Sequence, residues 1–146
     1  MLLDEIKISG AVRLVLKDEH GNVKEDRTIK NLVVTTGRDY IASRIKDATA
    51  TVMSHFAVGT NSTAPVLADI TLGSESGRVA LSSTTVSTNV VTYTATVPAG
   101  TATAALVEAG LFNAASSGTM LCRTTFAVIN KGANDSLTAT WTLTVS

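Results

Sequence analysis

The amino-acid sequence predicts an all-β protein with one short helix, folded as an antiparallel β-sandwich or jelly-roll-like domain of about eight or nine strands. The first observation is the run 136–145, in which apolar residues at odd positions alternate with threonines at even positions 138–144. Alternate side chains of a strand point to opposite faces, so this run has one core face and one threonine face. The second is a similar alternation at 91–97, and the third is regular turn spacing without strand–helix alternation.

The chain is expected to open with a β-hairpin over residues 1–34. Residues 5–17 read as its first strand, in which Gly10 is interpreted as a bulge or bend. A turn follows at 18–22. The returning strand begins with charged residues and ends in the apolar Leu32–Val34, so the tip should project into water while the base is buried.

A short helix is predicted over residues 36–46, with Thr35 or Thr36 as the N-cap. Its spacing gives a stripe that should cover one end or face of the sandwich, formed by Tyr40, Ile41, Arg44 and Ile45.

The rest of the single domain, residues 55–146, is the predicted sandwich core. A loop is expected at 60–67 and a turn after Ser83. Strands are expected at 55–59, 78–83, 91–97, 104–112, 120–129 and 136–145. The single tryptophan, Trp141, lies on the apolar face of the last strand and should anchor the core.

Composition narrows the class of protein. Charged residues make up 16% of the chain, below the usual fraction of about 25%. This predicts either a threonine-coated surface or a surface that other subunits cover. The formal net charge is zero, which disfavours nucleic-acid binding. We expect no secretory signal at Met1–Glu5, no membrane span, and synthesis in a reducing cytoplasm, because a single cysteine cannot form an intramolecular disulfide.

The residues that could support catalysis are few. Cys122 lies on an apolar strand face and is interpreted as a packed core thiol. His20 and His55 are far apart in sequence and no carboxylate cluster accompanies them. We therefore predict a protein that is not an enzyme, that uses no metal or cofactor and that has no small-molecule ligand as its partner.

A carboxylate and two guanidinium groups fall within predicted strands. Glu108 interrupts an apolar run, and a charge near a core costs several kcal/mol unless it is paired. One hypothesis is that backbone N–H groups, or a basic side chain such as Arg78 or Arg123, hold Glu108. The alternative is that Glu108 points outward.

The order of several motifs resembles that of tailed-bacteriophage virion proteins, including the N-terminal domain of tail-collar fibre proteins. The motifs are Phe56-Ala57-Val58-Gly59-Thr60, Leu72-Gly73-Ser74-Glu75, Arg78-Val79-Ala80-Leu81, the strand at 91–98, Val107-Glu108-Ala109-Gly110-Leu111-Phe112-Asn113, and Asn130-Lys131-Gly132. The resemblance implies a non-enzymatic structural protein located in the virion. It is expected to bind other tail or capsid subunits and further copies of itself.

Within that resemblance, a tail, fibre-attachment or baseplate-type component is favoured, because the motif order is nearest to collar-fibre domains. No shaft region follows Ser146, so we expect a compact component rather than a whole fibre. A capsid cement (decoration) protein is the alternative. A carbohydrate- or receptor-binding sandwich is a further one, although aromatic residues are only 4% of the chain.

Overall fold

The structure, a computed structural model, describes residues 5–146. Met1–Asp4, where the hairpin and the signal-peptide prediction begin, lie outside the described residues. The described chain forms ten strands and one helix. Their bounds are β1 (Ile8–Lys17), β2 (Val23–Lys30), β3 (Leu32–Val33), α1 (Thr35–Lys46), β4 (His55–Gly59), β5 (Glu75–Ala80), β6 (Ser83–Ser87), β7 (Val90–Val97), β8 (Ala104–Phe112), β9 (Met120–Lys131) and β10 (Ser136–Val145).

Two antiparallel five-stranded sheets confirm the predicted all-β sandwich. Sheet A has the order β2-β1-β10-β7-β6, and sheet B has the order β3-β9-β8-β4-β5. The strand count exceeds the predicted eight or nine for two reasons. The segment predicted as a turn after Ser83 forms β6 instead, and the predicted return strand to Val34 is divided between the two sheets.

The strand β10 is the centre of sheet A, where it pairs with β1 on one side and β7 on the other. Its odd-numbered apolar residues from Leu137 to Leu143 are buried, as the alternation predicts. The pairing with β1 is continuous from Ile8 opposite Val145 to Lys17 opposite Ser136. The strands of the first hairpin, β1 and β2, are therefore part of sheet A and of the sandwich.

The chain crosses from sheet A to sheet B at Asn31, between β2 and β3. Of the two interpretations of Gly10, a bulge or a bend, the bulge is wrong, because the register of β1 with β10 runs through Gly10 unbroken. The pairing of β1 with β2 begins only at Ala11, and its register shifts at Leu16/Lys17. A Cβ atom at Gly10 would lie 2.2 Å from the Asn31 side-chain oxygen. Glycine is needed here because the crossing chain passes so close to β1.

The helix α1 packs its first turns against β9. A Cβ atom at Gly37 would lie 2.0 Å from the backbone oxygen of Leu121, so only glycine permits this contact. The predicted threonine N-cap is wrong: the N-cap is Val34, which makes no side-chain cap bond. The Thr36 hydroxyl instead donates to the Met120 backbone oxygen at 3.0 Å, which ties the helix to the sheet.

Trp141 and Phe56 meet edge to face between the sheets, with ring centroids 6.1 Å apart. The indole N–H of Trp141 donates to the Asn31 side-chain oxygen at 2.8 Å, so its polar atom is satisfied inside the core.

Cys122 is fully buried, as predicted, and burial raises the pKa of its thiol well above the ordinary value. No helix in residues 5–146 combines the length and the hydropathy needed to cross a bilayer.

Candidate functional site

The carboxylate of Glu108 anchors the long connection between β4 and β5. Glu108 lies on β8 with no exposed surface. Its Oε2 atom accepts the backbone N–H groups of Asn61 at 2.9 Å and Ser74 at 2.8 Å, and its Oε1 atom accepts that of Gly73 at 2.8 Å. Both ends of this connection, the anchored loop (residues 60–74), therefore converge on one side chain.

Arg123 on β9 supplies the counter-charge. Its Nε and Nη2 atoms donate to Oε1 of Glu108 at 3.1 and 3.0 Å, and its Nη1 atom donates to Asp69 at 3.1 Å. The Arg123 side chain is also buried. A buried pair is tolerated only when hydrogen bonds satisfy both partners, and this condition is met here. The alternative in which Glu108 points outward is wrong.

Three glycines leave room for the anchored loop. A Cβ atom at Gly59 would lie 2.3 Å from the Ser74 backbone oxygen and 2.6 Å from Oε2 of Glu108. One at Gly110 would lie 3.0 Å from the Leu72 side chain, and one at Gly73 would meet the Asn61 side chain at 2.4 Å. These three glycines thus allow the anchored loop to pack closely against β4 and β8, and Gly59 also makes room for the Glu108 carboxylate.

Arg78 does not contact Glu108. It donates to both carboxylate oxygens of Glu75, and to the backbone oxygens of Ala114 and Ser117 at 2.9 Å each. Its guanidinium carbon lies 3.8 Å from the centre of the Phe112 ring, a cation–π contact. Arg78 therefore holds the β8–β9 turn in the way that Glu108 holds the anchored loop.

The turn between β9 and β10 is fixed by a third set of polar contacts. The buried Lys131 donates from Nζ to the Pro98 backbone oxygen at 2.9 Å. Asp135 accepts from the Lys24 ammonium at 2.8 Å and from the Gly132 N–H at 2.7 Å. These bonds lower the pKa of Asp135, with the Lys24 contact as the largest cause.

An apolar groove opens between the last turns of α1 and the β6–β7 edge of sheet A. Its volume is about 570 Å³. Three aliphatic side chains on its walls face solvent: Ile45 is 83% exposed, Val86 71% and Val52 54%. Burial raises the pKa of the groove-lining Tyr93 to about 12. We call this surface the Ile45 groove; its walls comprise Tyr40, Ile41, Arg44, Ile45, Val52, Met53, Thr84, Val86, Val91 and Tyr93.

The edge strand β6 borders the Ile45 groove and carries no charged residue. Its sequence is Ser-Thr-Thr-Val-Ser, and all five residues are exposed. Among residues 5–146, only β7 pairs with it. The opposite edge of sheet A, β2, has the sequence Val-Lys-Glu-Asp-Arg-Thr-Ile-Lys. Charged side chains on an edge discourage pairing with another chain, and β6 lacks this protection.

Sequence reasoning found the anchor and missed the groove. The apolar stripe of the helix was expected to be covered, yet Ile45 at its end is the most exposed aliphatic side chain among those described. The sequence predicts a turn where β6 forms, because one valine among serines and threonines gives no core-facing alternation. A detectable signal was present: β-branched residues at 84–86 followed by a Thr-Asn turn favour an exposed hairpin.

Within residues 5–146, no three His, Cys, Asp or Glu side chains gather as a metal site would require. Comparison of the chain with protein-family models, with curated proteins and with solved structures finds no match.

Proposed function

We propose that this protein is a structural subunit of a tailed-bacteriophage virion, of the tail, fibre-attachment or baseplate type, which works by assembly rather than by catalysis. The observation that carries the proposal is the uncharged edge strand β6 beside the exposed Ile45 groove. Exposed apolar surface next to an unprotected sheet edge is typical of a contact between protein chains. The motif order resembling collar-fibre domains supports the virion setting.

The chemistry of the most polar interior site supports the same proposal. Both oxygens of Glu108 are occupied, since together they accept five hydrogen bonds. Every contacting group is a donor from the chain itself, and Arg123 neutralises the charge. Such a carboxylate is suited to holding a loop in a fixed shape, as a subunit in a rigid assembly requires.

The location of the chain in particles tests the proposal. Purified particles of the phage that encodes the chain would be analysed by peptide mass spectrometry, and antibodies against the chain would be used for immunogold labelling. We expect the peptides in intact particles and gold at the tail. Gold over the head surface would favour the capsid cement alternative. Absence of the peptides from particles would contradict both.

The carbohydrate-binding alternative makes a different prediction. Sugar sites use an exposed aromatic ring as a stacking surface, whereas Trp141 is 1% exposed and lies in the core. We expect no saturable binding of the purified chain to a glycan array. Saturable binding that survives mutation of the Ile45 groove would favour the receptor-binding function over the proposed one.

A further inference from the structure

We propose that β6 pairs antiparallel with β6 of a second copy of this chain, which joins the two A sheets into one ten-stranded sheet across a two-fold axis. The inference rests on the proposed function in one respect, since it specifies which surface a self-assembling subunit uses.

The outward backbone groups of β6 are set by its hairpin with β7. Ser87 and Val90 flank the two-residue turn Thr88–Asn89 and pair with each other. Hydrogen-bonded pairs alternate along an antiparallel ladder, so the N–H and C=O groups of Thr84 and Val86 face the open edge. Each copy therefore offers two donors and two acceptors at the pitch of a strand.

One register uses the whole strand. If Thr84 of one copy lies opposite Val86 of the other, Ser83 lies opposite Ser87 and Thr85 meets itself on the two-fold axis. All five residues then pair, and both outward residues exchange both of their hydrogen bonds with the partner strand. Shifting the register in either direction leaves residues at the end of β6 unpaired.

The charge pattern favours a second copy over an unrelated strand. A two-fold contact repeats every side chain of β6 within the same short ladder, so any charge on β6 would be duplicated there, with Thr85 lying beside its own image. The strand has none. The charged side chain among the groove-lining residues, Arg44, already donates to the Ala48 and Ala50 backbone oxygens. A partner that binds through charged side chains would have few charged groups to contact on β6 and the Ile45 groove, whereas the uncharged β6 of a second copy can pair with this edge.

The Ile45 groove supplies the area that the strand alone lacks. A stable interface buries about 1,200–2,000 Å² in total, and five paired residues span only about 17 Å. The axis of an antiparallel pair is perpendicular to the sheet, so both grooves lie on the same face of the joined sheet. Val86 and Thr84 from each copy bring the two grooves side by side, where Ile45 and Val52 can be covered.

Cross-linking tests the register. In Thr85→Cys, two thiols on the axis would lie at the Cα separation of a non-hydrogen-bonded pair, about 4.5 Å, which suits a disulfide. We expect air oxidation of the full-length variant to give a covalent dimer. The native Cys122 is fully buried and should not contribute. The matched control is Val23→Cys, at an exposed valine on the opposite edge strand β2, and it should remain uncross-linked.

Sedimentation measures the same contact without cross-linking. We expect the unmodified chain to dimerise with rising concentration, and Val86→Lys to raise the dissociation constant by about tenfold or more, because two like charges would then approach each other. Val23→Lys should leave it unchanged. Circular dichroism would show that both variants fold.

Three results would overturn the inference: a monomer at every concentration, a dimer indifferent to Val86→Lys, or equal cross-linking of Thr85→Cys and Val23→Cys. These outcomes are separate from the test of the proposed function. A monomeric chain found in phage tails would refute this interface alone. A β6-paired dimer absent from particles would refute the virion function alone.

Discussion

Two regions of the molecule depart from the usual pattern in which apolar side chains are buried and charged side chains are exposed. Around Glu108, charged groups are buried: the carboxylate has no exposed surface and its partner Arg123 is 2% exposed. Around Ile45 and Val86, aliphatic groups are exposed. Buried charges and exposed apolar patches are the informative exceptions in a globular protein. The first region is completed by contacts within the chain, whereas under the proposed interface the second would be completed by contacts from another copy.

The comparison therefore separates two kinds of effect. Changes around Glu108 should alter the free energy of unfolding of a single chain. Changes around the Ile45 groove should leave that free energy nearly constant and alter association instead.

The largest expected effect is that of Glu108→Ala. It removes the acceptor of five hydrogen bonds and leaves the buried Arg123 with Asp69 as its remaining carboxylate partner, so we expect a loss of about 3–5 kcal/mol in the free energy of unfolding. Chemical denaturation of the purified variant would measure it. Glu19→Ala, at the exposed hairpin tip, is the control and should change stability by less than about 0.5 kcal/mol.

Glu108→Gln tests whether the negative charge of the carboxylate is needed. Both carboxylate oxygens face donors, so an amide group in either orientation places its NH₂ against N–H groups of the loop or of Arg123. We expect Gln to recover little, with a loss of at least about 2 kcal/mol relative to Glu. Surface substitutions usually change the free energy of unfolding by no more than about 0.5 kcal/mol. If Glu108→Gln stayed within that range of the unmodified chain, the charge of Glu108 would be unimportant for holding the anchored loop.

An intermediate effect is expected at Asp135, and it depends on pH. The Lys24 ammonium and the Gly132 N–H hold the pKa of Asp135 below its ordinary value of 3.8. A carboxylate whose folded-state pKa is depressed stabilises the fold above its unfolded-state pKa, and the stabilisation is lost as pH falls through the folded-state pKa. Asp135→Asn should therefore be less stable than the unmodified chain at pH 7, and the difference should shrink below about pH 4.

Thermal unfolding of both proteins from pH 7 down to pH 2 would measure this convergence. A stability difference that stays constant across the range would mean that the carboxylate charge of Asp135 contributes nothing. Asp18→Asn, at the exposed hairpin turn, is the comparison variant. The pKa of Asp18 is also lowered, chiefly by the Asn22 N–H, but Asp18 has no lysine contact among the described residues.

The smallest effect on unfolding is expected from Ile45→Ser. The side chain is exposed, so the free energy of unfolding measured at low concentration should change by no more than about 0.5 kcal/mol. Self-association should weaken, because the variant removes apolar area from the groove. Equilibrium denaturation and sedimentation on the same samples would compare the two. A loss of stability near that of Glu108→Ala would erase the distinction between the regions.

Much of the fold could be predicted because its strongest signals are periodic. The alternation at 136–145 identified the central strand of sheet A, and the same pattern identified β7. The number of strands and their division between sheets could not be predicted, since the crossing at Asn31 depends on the close approach of Gly10 from another strand. Local sequence does not encode such a contact.

The charged residues of the candidate site could be predicted from the sequence, because a charge inside an apolar run stands out. An acidic residue inside an apolar run pointed to Glu108, and Arg123 was one of two named partners. The loop that supplies the N–H donors could not be foreseen, because backbone donors carry no side-chain signature. The Ile45 groove was missed because the helix stripe was assumed to be covered; a chain that exposes apolar surface to a partner looks, in sequence, the same as one that buries it.

Hydrogen exchange at the backbone amides of Thr84 and Val86 would show whether the β6 edge is covered by a second copy. These two N–H groups face the open edge of β6 and have no partner strand among the described residues of one chain. We predict that both exchange rapidly in dilute solution and become protected as concentration rises, while the amide of Val23 on β2 changes little. Rapid exchange of Thr84 and Val86 at every concentration would contradict the claim that this edge joins one copy to another.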